Sequence, residues 1–199
     1  KLEALKVEQV KPTTGTLLKL EKADLVRSPH LFQQCFSLLV NAHYQTSPND
    51  LFHLLNDKQT QVYVYQMGSV YVGCLMTVEE GGLESDLVEQ VQCGKRRPSG
   101  QLVSVTIAKQ LGIGEAAKGK SLRIMRIAVH PSLQRMNVGT TMLSLLEERS
   151  PNHFLSTSFG ATSELIQFWQ NSGFNLIKVG SQRDKASGCH SVVMAKVNH

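Results

Sequence analysis

The fold is decided by Leu122-Arg-Ile-Met-Arg-Ile-Ala-Val-His-Pro131, followed two residues later by Gln134-Arg-Met-Asn-Val-Gly-Thr140. Apolar letters occupy even positions at Leu122 and Ile124, then odd ones at Met125, Ile127 and Val129. A one-residue slip of this kind marks a β-bulge. A strand buried on both faces carries the same letters without one, and periodicity alone leaves both readings open. Beyond it, Val138, Met142, Leu145 and Leu146 fall at i, i+4, i+7 and i+8, one face of a helix, and the segment predicts a helix over 135–149. A strand, a tight turn and a helix N-terminus therefore follow one another. Amides exposed at such a terminus, with the helix dipole behind them, suit a pyrophosphate, although strand-turn-helix units more often serve as scaffold.

Upstream, 16–21 reads as a short strand and 29–44 as a helix, with Pro29 near its start and Leu31, Phe32, Cys35, Phe36, Leu39 and Val40 at helical spacing. Ser47-Pro-Asn-Asp supplies a turn and cap for a short helix carrying Leu51, Leu54 and Leu55. Two β-branched and aromatic runs, 62–66 and 70–76, are separated by Met67-Gly-Ser and form a hairpin. Helices are predicted over 84–91 and 101–110, with Lys95-Arg-Arg-Pro-Ser-Gly as a break between them. Downstream come a strand over 153–158, a helix over 162–172, and closing strands over 175–179 and 191–197. Antiparallel strands first and a βαβ unit second make the fold class α/β with a mixed sheet. Residues 1–15, with Pro12 and Gly15, read as a lead-in to one domain over 16–199, and a first residue of Lys1 points to an excerpt of a longer chain.

A length of 199 residues is enough for one buried core. No apolar run approaches the roughly 20 residues of a membrane span, so no membrane partner is expected. The four cysteines, Cys35, Cys74, Cys93 and Cys189, are far apart, with no CxxC pair and no signal peptide. They read as reduced thiols of a cytoplasmic protein. The seven histidines fall at no HxxxH spacing, and no metal site is expected. A net charge of +5 biases the chain mildly toward anionic partners.

One motif is a decoy. Gly114-Glu-Ala-Ala-Lys-Gly-Lys-Ser121 has the letters of a nucleotide-binding P-loop, G-x-x-x-x-G-K-S. A working P-loop lies between a strand and a following helix, whereas this segment is predicted to follow a helix and enter a strand.

Arg126-Ile-Ala-Val-His-Pro followed by Gln134-x-x-x-x-Gly139 resembles the acetyl-CoA motif of the GNAT acetyltransferases, Q/R-x-x-G-x-G/A. The resemblance implies the GNAT acyl-CoA N-acyltransferase fold, a mixed, mostly antiparallel sheet flanked by helices, with acetyl-CoA as cofactor. Ile127, Ala128 and Val129 would pair by backbone with the pantetheine arm, and Gln134, Arg135, Met136, Asn137, Val138, Gly139 and Thr140 would wrap the pyrophosphate. Asn137 stands where the first glycine is usual. It tolerates left-handed backbone better than most residues, but its side chain takes space near the phosphates.

A narrower resemblance runs along nearly the whole chain from Pro29. His43-Tyr-Gln-Thr-Ser-Pro-Asn-Asp-Leu51, Arg96-Arg-Pro, Ser121-Leu-Arg-Ile-Met-Arg-Ile-Ala-Val-His-Pro131 about the strand predicted over 122–129, Ser158-Phe-Gly-Ala-Thr-x-Glu-Leu, Phe168-Trp-x-x-x-Gly-Phe and Arg183-Asp-x-x-Ser-Gly-x-His-Ser191 are similar to segments of the tRNA(Met) cytidine acetyltransferases. That family implies acetylation of N4 of the wobble cytidine of elongator tRNA(Met). It also implies an ATPase/helicase-like module, where ATP or GTP and Mg would act, and a C-terminal tail, both outside these residues. By its motifs, Glu164 and Asn171 contact acetyl-CoA.

Cytosine N4 is a poor nucleophile because its lone pair is delocalised, so a base is expected. His43 is the candidate, although it could simply hydrogen-bond the turn that follows it. Phe168-Trp169 occupies the slot where many GNAT enzymes carry a tyrosine acid, and tryptophan cannot protonate a thiolate at pH 7. Lys95, Arg96, Arg97, Arg183 and Lys185 are candidate contacts to tRNA phosphates, with solvated loops as the plainer reading. His190 is a candidate for the base pocket or for loop hydrogen bonding. The rival readings are a GNAT domain acetylating a protein or small-molecule amine, and a non-catalytic acyl-CoA- or RNA-binding module.

Overall fold

The computed structural model describes residues 15–42, 49, 56–183 and 188–196. Its strands form one seven-stranded mixed sheet in the order β1-β2-β3-β4-β5-β7-β6. They are β1 (Thr16–Leu20), β2 (Thr60–Met67), β3 (Val70–Gly81), β4 (Lys120–Val129), β5 (His153–Gly160), β6 (Asn175–Arg183) and β7 (His190–Lys196). β4 pairs with β5 in parallel, Lys120 to Ile124 against His153 to Thr157. The β1–β2, β5–β7 and β6–β7 pairs are antiparallel. The helices are α1 (Lys22–Arg27), α2 (Pro29–Ala42), α3 (Ser85–Gln92), α4 (Leu102–Gln110), α5 (Gly114–Lys118), α6 (Val138–Arg149) and α7 (Ser163–Asn171). The mixed, flanked sheet is the α/β class read from the sequence.

Two compact units can be distinguished, Lys1–Thr77 with Arg126–Leu146, and Val78–Met125 with Glu147–His199. In the first, α2 starts on Pro29 while the Ser28 hydroxyl accepts the Leu31 N–H at 3.3 Å, a cap followed by a proline whose missing N–H costs nothing there. Its stripe of Cys35, Leu38 and Leu39 packs with Leu25 of α1 against Val62, Val64, Cys74 and Met76 of the hairpin and Ala128 of β4. Each such aliphatic side chain, fully buried, contributes about 1.5–3 kcal/mol. Gly73 lets α6 approach β3, because a Cβ there would lie 2.5 Å from the Met142 sulfur.

In the second unit, Leu83, Val88, Val91, Ala108 and Ala117 form a core among α3, α4 and α5. Val103 and Ile107 of α4 pack with Val193, Phe154 and Ile177 of the sheet. All four cysteines are free, and no helix among the described residues is long and apolar enough to cross a membrane.

Several expectations change. The predicted helix over 135–149 starts three residues late, because Arg135 (φ 63°) and Asn137 (φ 61°) are left-handed and cannot enter an α-helix. In β4, Ser121, Leu122, Ile124 and Ala128 are buried, while Met125, Ile127 and Val129 are half-buried. β6 runs on to Arg183, four residues past its predicted end at 179, after register shifts on either side of Lys178 and Val179. The P-loop letters are not a P-loop, since Gly114 to Lys118 is itself the helix α5 and Lys120 and Ser121 open β4, the reverse of the required order. The predicted short helix around Leu51–Leu55 and the lead-in through residue 14 lie outside the described residues.

Candidate functional site

The end of β4 and the start of α6 lie in one unit and hold the strand and loop candidates together. After Val129, the His130 N–H bonds the Val72 carbonyl at 2.8 Å. The His130 Nδ1 accepts the Ser132 N–H at 3.3 Å, which places that ring's proton on Nε2 when neutral. A single 3₁₀ turn, Pro131–Leu133, anchored by the buried Leu133, redirects the chain. Gln134 turns its amide back, its Nε2 donating to the Val129 carbonyl at 3.2 Å, so the loop is tied to the strand it leaves.

Gln134, Arg135, Met136 and Asn137 are all exposed, and Met136 is 60% so despite its apolar side chain. Arg135 and Asn137 take φ of 63° and 61°. Left-handed residues alternating in a short loop turn successive N–H groups to one side, the concavity that binds anions. The Asn137 carbonyl accepts both the Thr141 N–H at 2.9 Å and the Thr141 hydroxyl at 3.0 Å, which opens the α6 ladder. The Val138 and Gly139 amides thus precede the first i→i−4 bond, at the positive end of a 12-residue helix dipole. Val138 faces the core at 9% exposure, and Gly139 and Thr140 are half-buried. Backbone amides, an exposed rim and a left-handed turn fit a pyrophosphate, and Asn137 supplies the conformation that glycine would have supplied.

The other unit carries Glu164, Asn171, Lys95, Arg96, Arg97 and Arg183. Glu164 is exposed in the first turn of α7, where the Thr162 hydroxyl caps the Leu165 N–H at 3.3 Å, and Asn171 is exposed at that helix's other end. Lys95, Arg96 and Arg97 are exposed after α3, and Arg183 is exposed at the end of β6, opposite His190. The His190 Nδ1 donates to the Gly180 carbonyl at 2.8 Å, so this histidine serves the hairpin. Trp169 is 4% exposed, with Phe159 stacked on it at 6.0 Å and Phe168 and Phe174 edge-on at 5.2 and 4.8 Å. In the slot of a tyrosine acid the chain has built an aromatic core. His43 and Lys185 lie outside the described residues.

Sequence reasoning missed two polar clusters in this second unit. Glu80, 1% exposed on β3, accepts the Arg123 Nε–H at 2.5 Å through Oε1 and the Val103 N–H at 2.8 Å through Oε2. It caps α4 from another element, while Gln101 at that helix's N-cap accepts the Gly81 N–H at 2.7 Å. The letters signalled only Arg123, a charge inside a predicted strand that requires a partner, since Glu80 lies past the predicted end of its strand at 76 and joins it only because β3 runs on to Gly81.

Beside it, the half-exposed Glu79 faces the His153 Nε2 at 3.1 Å and the Lys120 ammonium at 3.3 Å. The hydrogen bond from His153, helped by Lys120 and opposed by partial burial, holds the Glu79 carboxyl below the usual carboxylate range. A depressed folded-state value adds stability that is fully present above the unfolded value and is lost as pH falls through the folded one, here on the acid side of the ordinary carboxylate range. His153→Ala is expected to move the Glu79 titration upward, read by carboxyl ¹³C NMR. An unmoved titration would remove His153 from that role.

The profile of the family described as GNAT acetyltransferase 2 matches residues 34–152 and 146–198. The chain is 47% identical over 176 residues to the tRNA(Met) cytidine acetyltransferase of Vibrio cholerae, covering 88% of this chain and 25% of that protein. It is 35% identical over 191 residues to the protein of the same name from Nitrosococcus halophilus, covering 94% and 26%. The chain thus spans about a quarter of the length of the curated relatives it matches. Among solved structures, a GNAT family acetyltransferase from Elizabethkingia anophelis with acetyl-CoA bound superposes with a TM-score of 0.57 at 14% identity, covering 92% of this chain and 98% of that one. The ribosomal-protein-S18-alanine N-acetyltransferase of Escherichia coli gives 0.55 at 15%, covering 92% and 93%. At such identities these two likenesses speak to fold alone.

Proposed function

The chain belongs to the GNAT acetyltransferase 2 family, and from that premise we propose that it transfers the acetyl group of acetyl-CoA to N4 of the wobble cytidine of elongator tRNA(Met), forming N4-acetylcytidine. The observation that carries the substrate is the 47% identity, across 88% of the chain, to a relative named for that activity. What supports the cofactor is the left-handed loop before α6.

Bound acetyl-CoA supplies a thioester carbonyl activated toward attack by an amine. The backbone edge of Ile127, Ala128 and Val129 holds its pantetheine arm, and the amides of the Gln134–Thr140 loop, with the α6 dipole behind them, receive its pyrophosphate. Glu164 and Asn171 contribute further contacts from α7.

His43 takes the N4 proton as the amine attacks, which keeps the nitrogen lone pair available for the new C–N bond. Trp169, buried among phenylalanines, positions α7 and donates no proton. This slot would therefore offer the leaving thiolate no proton. Lys95, Arg96, Arg97, Arg183 and Lys185 contact tRNA phosphates. A cytidine in an anticodon loop is already partly unstacked, so turning it toward the acetyl group costs little. Coupling to ATP or GTP hydrolysis, with Mg, belongs in this reading to an ATPase/helicase-like module of the complete chain.

The test is incubation of the complete protein with elongator tRNA(Met), ATP and labelled acetyl-CoA. One acetylated cytidine is expected. Label on lysine and none on tRNA would replace this reading with that of a protein acetyltransferase. For His43, the His43→Ala enzyme should lose the neutral-pH limb of its kcat profile, and a profile identical to the parent's would remove it from the mechanism.

A further inference from the structure

We infer that Lys109 completes, with Lys95, Arg96 and Arg97, a four-cation surface that grips RNA phosphates. The inference rests on the tRNA reading above and assigns part of the docking surface. The sequence separates Lys109 from the basic run by most of a helix and a loop, and the fold removes that separation.

α3 ends at Gln92, and Gly94, at φ 72°, reverses the chain. The Lys95 and Arg96 amides both bond the Gln90 carbonyl, at 2.8 and 3.2 Å. The start of the basic run is therefore pinned to the last turn of α3. Lys109 lies in the last turn of α4. Its ammonium comes 3.7 Å from where a Cβ on Gly94 would sit, directly before Lys95. Glycine at this point serves twice, as the left-handed helix stop and as the open space that the ammonium overlies.

All four side chains are exposed. Lys118, Lys120, Arg123 and Lys196 each face a carboxylate within 4.0 Å, at Glu115, Glu79, Glu80 and Glu147. Among the described residues, Lys95, Arg96, Arg97 and Lys109 form no ion pair. Like charges gathered without counterions repel one another, and a polyanion crossing the cluster removes that repulsion while releasing its own condensed cations. The two guanidinium forks suit phosphate oxygens bidentately, and the two ammoniums act as point charges beside them. A phosphodiester backbone offers the repeating charge this arrangement needs.

The test measures elongator tRNA(Met) binding to the complete protein by fluorescence anisotropy across a KCl series. Lys109→Gln should weaken binding several-fold at physiological salt and lower the slope of log K against log salt by about 0.7–1, with acetyl-CoA affinity unchanged. Lys118→Gln, whose ammonium is already paired with Glu115, should change neither. A Lys109→Gln protein with parental affinity and slope, in an enzyme that still acetylates the tRNA, overturns this inference and leaves the function standing. A parent that binds no tRNA overturns both. Loss of binding to phosphatidylserine vesicles, with RNA binding intact, assigns the cluster to a membrane surface and also overturns it.

Discussion

Glu80→Ala is expected to destabilise the protein by about 3–5 kcal/mol, the cost of breaking a buried ion pair from one side. The Glu80 side chain has no exposed surface and that of Arg123 is 18% exposed, so water cannot replace the lost carboxylate. Two donors are stranded at once. The Arg123 guanidinium keeps its charge inside the unit, and the Val103 N–H, in the first turn of α4, loses its acceptor. The same carboxylate also complements the positive end of the α4 dipole, which has no side-chain cap of its own at Gln101. Glu80→Gln should fall between parent and alanine, because the amide oxygen can still accept from one donor while the charge is gone. Pairing Glu80→Ala with Arg123→Met should cost less than the sum of the two single changes, because the second removes the charge that the first left uncompensated. Urea denaturation midpoints at constant m-value read all of these. A Glu80→Ala loss below about 1 kcal/mol would mean that α4 and Arg123 find other partners.

The features legible in the sequence are those whose pattern is long relative to their period. α2 shows its stripe over four turns, the 60–81 hairpin shows β-branched runs about Gly68, and β4 followed by α6 carries the strand-turn-helix order that located the loop. α1 and α5, six and five residues long, are shorter than two turns and expose no repeat to read. The onset of α6 was misplaced for a different reason. Apolar spacing reports which face is buried, but the φ of the exposed Arg135 and Asn137 leaves no mark on hydropathy, and only the residue type at Asn137 hinted at it. Trp169 shows the converse, because its letters identified what it cannot do chemically and already placed Phe168 and Phe174 near it, while the Phe159 ring that stacks on it comes from β5. The Glu80–Arg123 pair needed tertiary structure to join two positions that are far apart in the chain, and only Arg123 stood out beforehand, as a charge within a predicted strand.

Asn137→Val is expected to weaken acetyl-CoA binding about ten- to a hundredfold. At φ 61° glycine is unstrained and asparagine and aspartate are the best-tolerated L-residues, whereas a β-branched side chain there is a steric outlier. Holding valine in that region costs on the order of 1–3 kcal/mol, and each 1.4 kcal/mol of binding free energy is about tenfold in affinity. Where that cost appears depends on what holds the loop. The Gln134 amide ties the start of the loop to β4, but Asn137 itself is exposed, so in the free protein the chain about it can relax and the denaturation midpoint should move by less than the strain. Relaxation turns the Asn137 carbonyl away from Thr141, where two hydrogen bonds open α6, and with it the Val138 and Gly139 amides that receive the pyrophosphate. The bound state must then restore the left-handed turn, so the strain is met on binding. Asn137→Gly keeps the turn at no steric cost and clears a side chain from the phosphate side, so it should bind as tightly as the parent or more so. Isothermal titration with acetyl-CoA separates the cases, and a valine variant of parental affinity would show that this loop does not carry the cofactor's phosphates.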